Sequence, residues 1–120
     1  MHAGKCRPML EVSRHDEALV IRITEPQLQM YAIPQFKAMV TDAIAAKPKI
    51  VIFDLAEVDH LDSSAMGAMF HFLRTVRDYG GRLGITNVSG KVMQVFKVTK
   101  AETQFQLFET LDAAIKELKG

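Results

Sequence analysis

The chain has one cysteine, Cys6, so no disulfide can form within it. A reducing compartment suits that pattern, because free thiols persist there. No apolar run approaches the ~20 residues that a membrane-spanning helix needs. Met1 to Lys5 is not followed by the apolar segment of a signal peptide. A soluble cytoplasmic protein without direct membrane insertion is therefore the expectation. An excess of one charge sign is missing too: 15 basic and 14 acidic residues leave a formal net charge of +1. The basic residues are scattered, whereas a nucleic-acid surface needs them clustered, so no nucleic-acid partner is expected. There is no Gly-x-x-x-x-Gly-Lys phosphate loop. His60 and His71 lack ligand-like spacing and Cys6 is remote from both, so neither a metal nor another cofactor is expected.

What is present is enough for one ordinary core. The 120 residues are 48% hydrophobic and 24% charged, which suits a single domain. There is no internal repeat, low-complexity tract or linker. Met1 to Pro8 reads as a loose N-terminal arm, and residues 9–119 as the domain.

One stretch organises the rest. Ile50-Val51-Ile52-Phe53-Asp54-Leu55 is almost wholly apolar and rich in β-branched residues, the pattern of a strand buried on both faces. Asp62 can cap the following helix by accepting N–H groups of its first turn. From Ala65 the apolar residues Met66, Met69, Phe70, Phe72, Leu73, Val76 and Tyr79 recur at a helical period, and Gly80-Gly81 ends the helix. Ser63 thus lies in the first helical turn, just beyond the strand. The apolar face centres on Ala65, Met69, Phe72 and Val76. Ser63 lies off that face with Gly67 and Arg74; Phe70 is at its edge, and Met66 is intermediate.

The remaining chain completes an α/β pattern. Met9 to Ser13 and Ala18 to Ile23 read as strands joined by a turn at His15-Asp16-Glu17. Thr24 to Met30, with a proline and two glutamines, reads as a loop. Ile33, Phe36, Val40, Ala43 and Ile44 share a helical face with Pro34 in the first turn, and Lys47-Pro48 stops that helix. Arg82 to Thr86 is the next strand, and Ser89 can cap a helix carrying Val92, Val95 and Phe96. Phe105 to Phe108 is a short strand candidate, and Thr110 caps a last helix with Leu111, Ala114, Ile115 and Leu118. Strands alternating with helices give a layered α/β domain whose initial hairpin makes the sheet mixed.

A Ser63-His60-Asp62 triad is disfavoured. A nucleophile elbow needs glycines flanking the serine at alternate positions, and Leu61 and Ala65 stand there instead. A loop histidine and a helix cap account for His60 and Asp62, and no enzymatic activity is expected.

Asp62-Ser63-Ser64-Ala65-Met66-Gly67, preceded by the apolar strand, resembles the Asp-Ser-Ser-Gly-Leu-Gly signature of STAS domains, the sulfate-transporter and anti-sigma-factor-antagonist domains. Gly80 to Ser89 is similar to the strand and loop that follow the signature helix. The resemblance spans about Ile50 to Leu118 and weakens toward Thr24. It implies a sheet of four or five strands packed with about four helices. In the antagonists the serine after the aspartate is phosphorylated by the partner kinase, which implies Ser63 as the modified residue. The implied partner is an anti-sigma factor that is also a GHKL-type serine kinase, with a serine phosphatase for the reverse step. The partner-binding surface expected on this basis comprises Asp62, Ser63, Ser64, Met66, Gly67, Phe70 and Arg74. Ala65 and Met66 depart mildly from the signature, and Gln29 stands where signalling antagonists often carry an acidic residue. Two other roles fit the same family. One is a non-phosphorylated cytoplasmic subunit of a membrane lipid transporter; the other is a scaffold subunit of a stress-signalling assembly.

Overall fold

Residues 9–120, which this computed structural model describes, alternate between apolar strands and amphipathic helices. The arm expected over residues 1–8, with Cys6, lies outside the described residues. The elements are β1 (Leu10–His15), β2 (Ala18–Ile23), β3 (Gln27–Leu28), α1 (Ile33–Ala43), β4 (Ile50–Asp54), β5 (His60–Leu61), α2 (Ser63–Asp78), β6 (Arg82–Thr86), α3 (Gly90–Val98), β7 (Gln106–Phe108) and α4 (Leu111–Lys119). Short 3-10 turns at Met30–Ala32 and Ala101–Thr103 precede α1 and β7.

The main sheet has five strands in the order β1-β2-β4-β6-β7. The β1–β2 hairpin is antiparallel and the other pairs are parallel, so the sheet is mixed. Each parallel step moves the same way across the sheet, and right-handed crossovers then put α1, α2 and α3 on one face. Phe36, Phe53 and Phe72 meet at the centre of that layer with ring centroids 6.0–6.4 Å apart. Helix α4 covers the other face, where Ala114 and Leu118 join Ala18, Val20, Ile50 and Ile52 in a second, smaller cluster. Gly84 of β6 permits this approach, since a Cβ there would lie 2.9 Å from Leu118 Cδ1. Every residue of β4 is buried, as its composition predicts.

The expected caps are all present. Asp62, Ser89 and Thr110 accept from the amides of Ala65, Val92 and Ala113. Gly80, at φ +88, lets the chain leave α2. Three boundaries differ from the sequence expectation. Strand β1 continues to His15, so the turn is Asp16-Glu17, with Asp16 in the left-handed region at φ +58. Helix α1 ends at Ala43, before Lys47-Pro48, and Lys47 (φ +58) redirects the chain into β4. The loop expected from Thr24 to Met30 contains β3, which pairs in parallel with β5 as a second, two-stranded sheet. Pro26 and two glutamines mask that strand in the sequence, because its partner is the equally short His60-Leu61.

The end of α2 is tied to the entry of β4: the Tyr79 hydroxyl donates to the Pro48 carbonyl at 2.6 Å. Burial pushes that hydroxyl above its ordinary pKa of 10.0. In the unfolded chain it ionises near pH 10.0, and in the folded chain only above that. The stabilisation is thus complete below that pH and is lost as pH rises through the folded value. Tyr79→Phe should cost about 0.5–1.5 kcal/mol at neutral pH. Urea unfolding should also show a shallower alkaline loss in this variant than in wild type. Equal alkaline slopes would remove Tyr79 as the source.

Candidate partner-binding site at the start of helix α2

The parallel strands β2, β4 and β6 end at the same edge of the sheet, and a buried carboxylate holds those ends together. Asp54, 3% exposed, accepts from Ala56 N and from Asn87 Nδ2, both at 3.0 Å. Arg22 Nε lies 3.5 Å from its other oxygen. A buried charge needs such partners, because desolvation without them costs several kcal/mol. Asn87, at φ +61, adopts the left-handed conformation that asparagine tolerates. From this anchor the chain runs to α2 as a fixed segment. Val58 and Leu61 are buried, and the Pro26 carbonyl accepts from both Asp59 N and His60 N, at 2.7 and 3.0 Å.

Asp62 then has more contacts than a helix cap requires. One carboxylate oxygen accepts from Ala65 N at 3.0 Å, the cap bond. The other accepts from Met30 N at 2.9 Å, across to the 3-10 turn before α1. Its own N–H donates to the Leu28 carbonyl at 3.3 Å. The carboxylate is thus committed to two backbone amides and does not orient His60, which is exposed on β5. The residues of the disfavoured triad are near in sequence but are not arranged as one.

The expected surface residues divide. Ser63 is exposed at the first helical position, and Ser64 behind it is half-buried. Gly67, one turn on, is exposed, and nothing lies within 4 Å of where its Cβ would be. Arg74 is exposed on the same stripe. Met66 is a correction: at 3% exposure it belongs to the core and offers no surface for contact. The sequence placed it between faces, but the fold packs it into the main core cluster. Phe70 is also less free than an exposed anchor. It is half-buried, with its ring 5.0 Å from that of Phe105, which is itself buried. Beside it, Phe70, Leu73, Arg74, Arg77, Asp78 and Gln104 line a shallow recess of about 260 Å³.

Sequence reasoning missed Met30 and Tyr31. They are 68% and 71% exposed and adjacent, and Asp62 fastens them beside the start of α2. A signal was available: two large apolar residues in a polar stretch, just outside the helical period that begins at Ile33. Asp54 was read only as the end of a strand, although it organises the strand ends.

Comparisons agree with this architecture. The family model described as the STAS domain matches residues 9–114. A Thermotoga neapolitana protein provisionally described as an anti-sigma factor antagonist is 24% identical over 105 residues, 87% of this chain and 93% of its own. A crystal structure of an anti-sigma factor antagonist from Mycobacterium paratuberculosis superposes with a TM-score of 0.84 at 20% identity, covering 92% of this chain and 93% of that one. The anti-sigma factor antagonist SpoIIAA in its unphosphorylated form gives 0.76 at 24% identity, with coverages of 92% and 96%. The Bacillus SpoIIAA in its phosphorylated form gives 0.66 at 23%, with coverages of 90% and 97%.

Two substitutions test the division between surface and core on this helix. Gly67→Ala should stabilise the protein by about 0.5–1 kcal/mol, because the added methyl meets open space and glycine is a poor helix former. Phe70→Ala should cost about 1–3 kcal/mol, less than a fully buried phenylalanine, through lost packing on Phe105. Thermal melts check both. An unchanged midpoint for Phe70→Ala would show that its ring contributes nothing to the core.

Proposed function

Because the chain belongs to the STAS domain family, we propose that it is an anti-sigma factor antagonist, a regulatory binding module switched at Ser63. The observation that supports this reading most is the exposure of Ser63 at a helix start held rigid by Asp62, with no side chain at Gly67 to obstruct a partner. The partner is an anti-sigma factor that is also a GHKL-type serine kinase. Occupying it frees the sigma factor. The antagonist itself carries no catalytic group. In the switch step Ser63 Oγ takes the γ-phosphoryl group of ATP on the kinase, ADP leaves, and the hydroxyl proton passes to a base of the kinase. A serine phosphatase resets the site by hydrolysis. The non-phosphorylated transporter-subunit role uses the same fold but gives no use to an exposed Ser63.

The physical effect of the phosphate follows from its position. It adds about 1.5–2 negative charges. At a helix N-terminus these face unpaired N–H groups and the positive end of the dipole, so the fold should tolerate them. The cost falls on the interface, through bulk, desolvation and repulsion involving Asp62 and Asp59. Ser63→Asp should keep a melting temperature within a few degrees of wild type, yet bind the partner anti-sigma factor at least about tenfold more weakly, an interface loss of about 1.4 kcal/mol. Ser63→Ala should bind but accept no phosphate, and Ser64→Ala should still be phosphorylated. Calorimetric titration with each variant, plus phosphosite mapping after incubation with the kinase and ATP, checks these outcomes. Undiminished binding by Ser63→Asp, or phosphate found only elsewhere, would rule the switch out and favour the transporter subunit.

A further inference from the structure

We propose that Asp62 couples the charge on Ser63 to the position of the exposed pair Met30–Tyr31, so that one modification alters two parts of the surface. The biological use of this coupling rests on Ser63 being the switch residue. The coupling itself is a property of the isolated chain.

The turn Met30–Ala32 is a single 3-10 turn, too short to hold a fixed position through its own hydrogen bonds. Its ends are anchored: Leu28 and Ala32 are buried, and Ala32 N donates to the Gln29 carbonyl at 2.8 Å. Between these anchors Met30 and Tyr31 point outward. Among the described residues, they are the only neighbours in sequence that are both large, apolar and strongly exposed. The amide of Met30 is fastened to the start of α2 through Asp62 Oδ2, at 2.9 Å. Asp62 Oδ1 holds the helix cap, so the two bonds move together when the carboxylate turns.

Ser63 follows directly. A phosphate there brings a second anionic group next to the Asp62 carboxylate, and like charges at contact repel. It also brings three strong acceptor oxygens to the first turn of α2. When Asp62 turns away, the helix amides find a replacement acceptor in the phosphate. The Met30 amide does not, because it faces Asp62 from another segment. The helix start therefore stays ordered while the Met30–Tyr31 turn loses its tie. An apolar pair presented at a fixed position becomes a loose one, and a partner that contacts both it and Ser63 loses both contacts.

Amide hydrogen exchange measured by NMR on the isolated chain tests this without a partner. Asp62→Ser retains a capping oxygen, but one too short to reach Met30 as well. Ser63→Asp adds charge, and Ser63→Asn adds the same bulk without charge. The Met30 amide should exchange about tenfold to a hundredfold faster in Asp62→Ser and Ser63→Asp, as expected for loss of a hydrogen bond to a charged acceptor. It should be unchanged in Ser63→Asn. The Ala65 amide should stay protected in all three, which also reports that α2 is folded. Unchanged Met30 exchange in Ser63→Asp overturns the coupling, as does equal acceleration in Ser63→Asn. If exchange is unchanged but Ser63→Asp still loses the anti-sigma factor, the functional reading stands without this device. If Met30 exchange accelerates and binding persists, the coupling stands and the functional reading fails.

Discussion

Strand β4 is hydrogen-bonded on both sides, to β2 and to β6, and all five of its side chains are buried. Neither face of the sheet can then be left to water at its centre, so two helical layers are required. Helices α1, α2 and α3 form one layer because their parallel crossovers share a hand and a direction. Helix α4 supplies the other, seated close to the sheet over Gly84. The same constraint brings the ends of β2, β4 and β6 to one edge. Asp54 sits there as a buried charge whose three partners come from β2, the segment after β4 and the segment after β6. The apolar demand of one strand thus fixes where the chain can emerge to start α2.

At that edge the chemistry is short-range. Asp62 meets the unpaired amides of a helix start, the ordinary role of a cap, and also reaches Met30. A helix start of this kind accepts negative charge without unfolding. A charge placed on Ser63 should therefore change the stability of the fold little. A domain of this size has few kcal/mol to spare.

The stripe that carries Ser63 shows how narrow the margin between surface and core is on one helix. Gly67 leaves open space one turn beyond Ser63, and Arg74 reaches solvent. Met66, one residue before Gly67, is buried, and Phe70 is held against Phe105 from the segment preceding β7. Neighbouring positions differ in role because each helical step turns the side chain by about 100°. The exposed part of this stripe is accordingly made of small and polar residues, with the exposed Met30 and Tyr31 beside it.

The amino-acid sequence by itself determined the features that depend on near neighbours. Short apolar, β-branched runs bounded by turn residues marked the strands of the main sheet, and period 3.6 marked the helices. Asp62, Ser89 and Thr110 announced three helix starts, Gly80 announced one helix end, and the signature after β4 placed Ser63 in a first helical turn. Each of these rests on bonds between residues a few positions apart, which leave a pattern in the chain. Tertiary structure alone decided the rest. Strands β3 and β5 are two residues each, too short for any period, and exist only because they meet. Phe70 is half-covered because Phe105 arrives from a distant segment, and Met66 is buried because it joins the main core cluster. Asp54 and Asp62 owe their second roles to Arg22, Asn87 and Met30, each some thirty residues away in the chain. A contact made across such a loop is set by where the whole fold puts its ends, and no local run of residues encodes it.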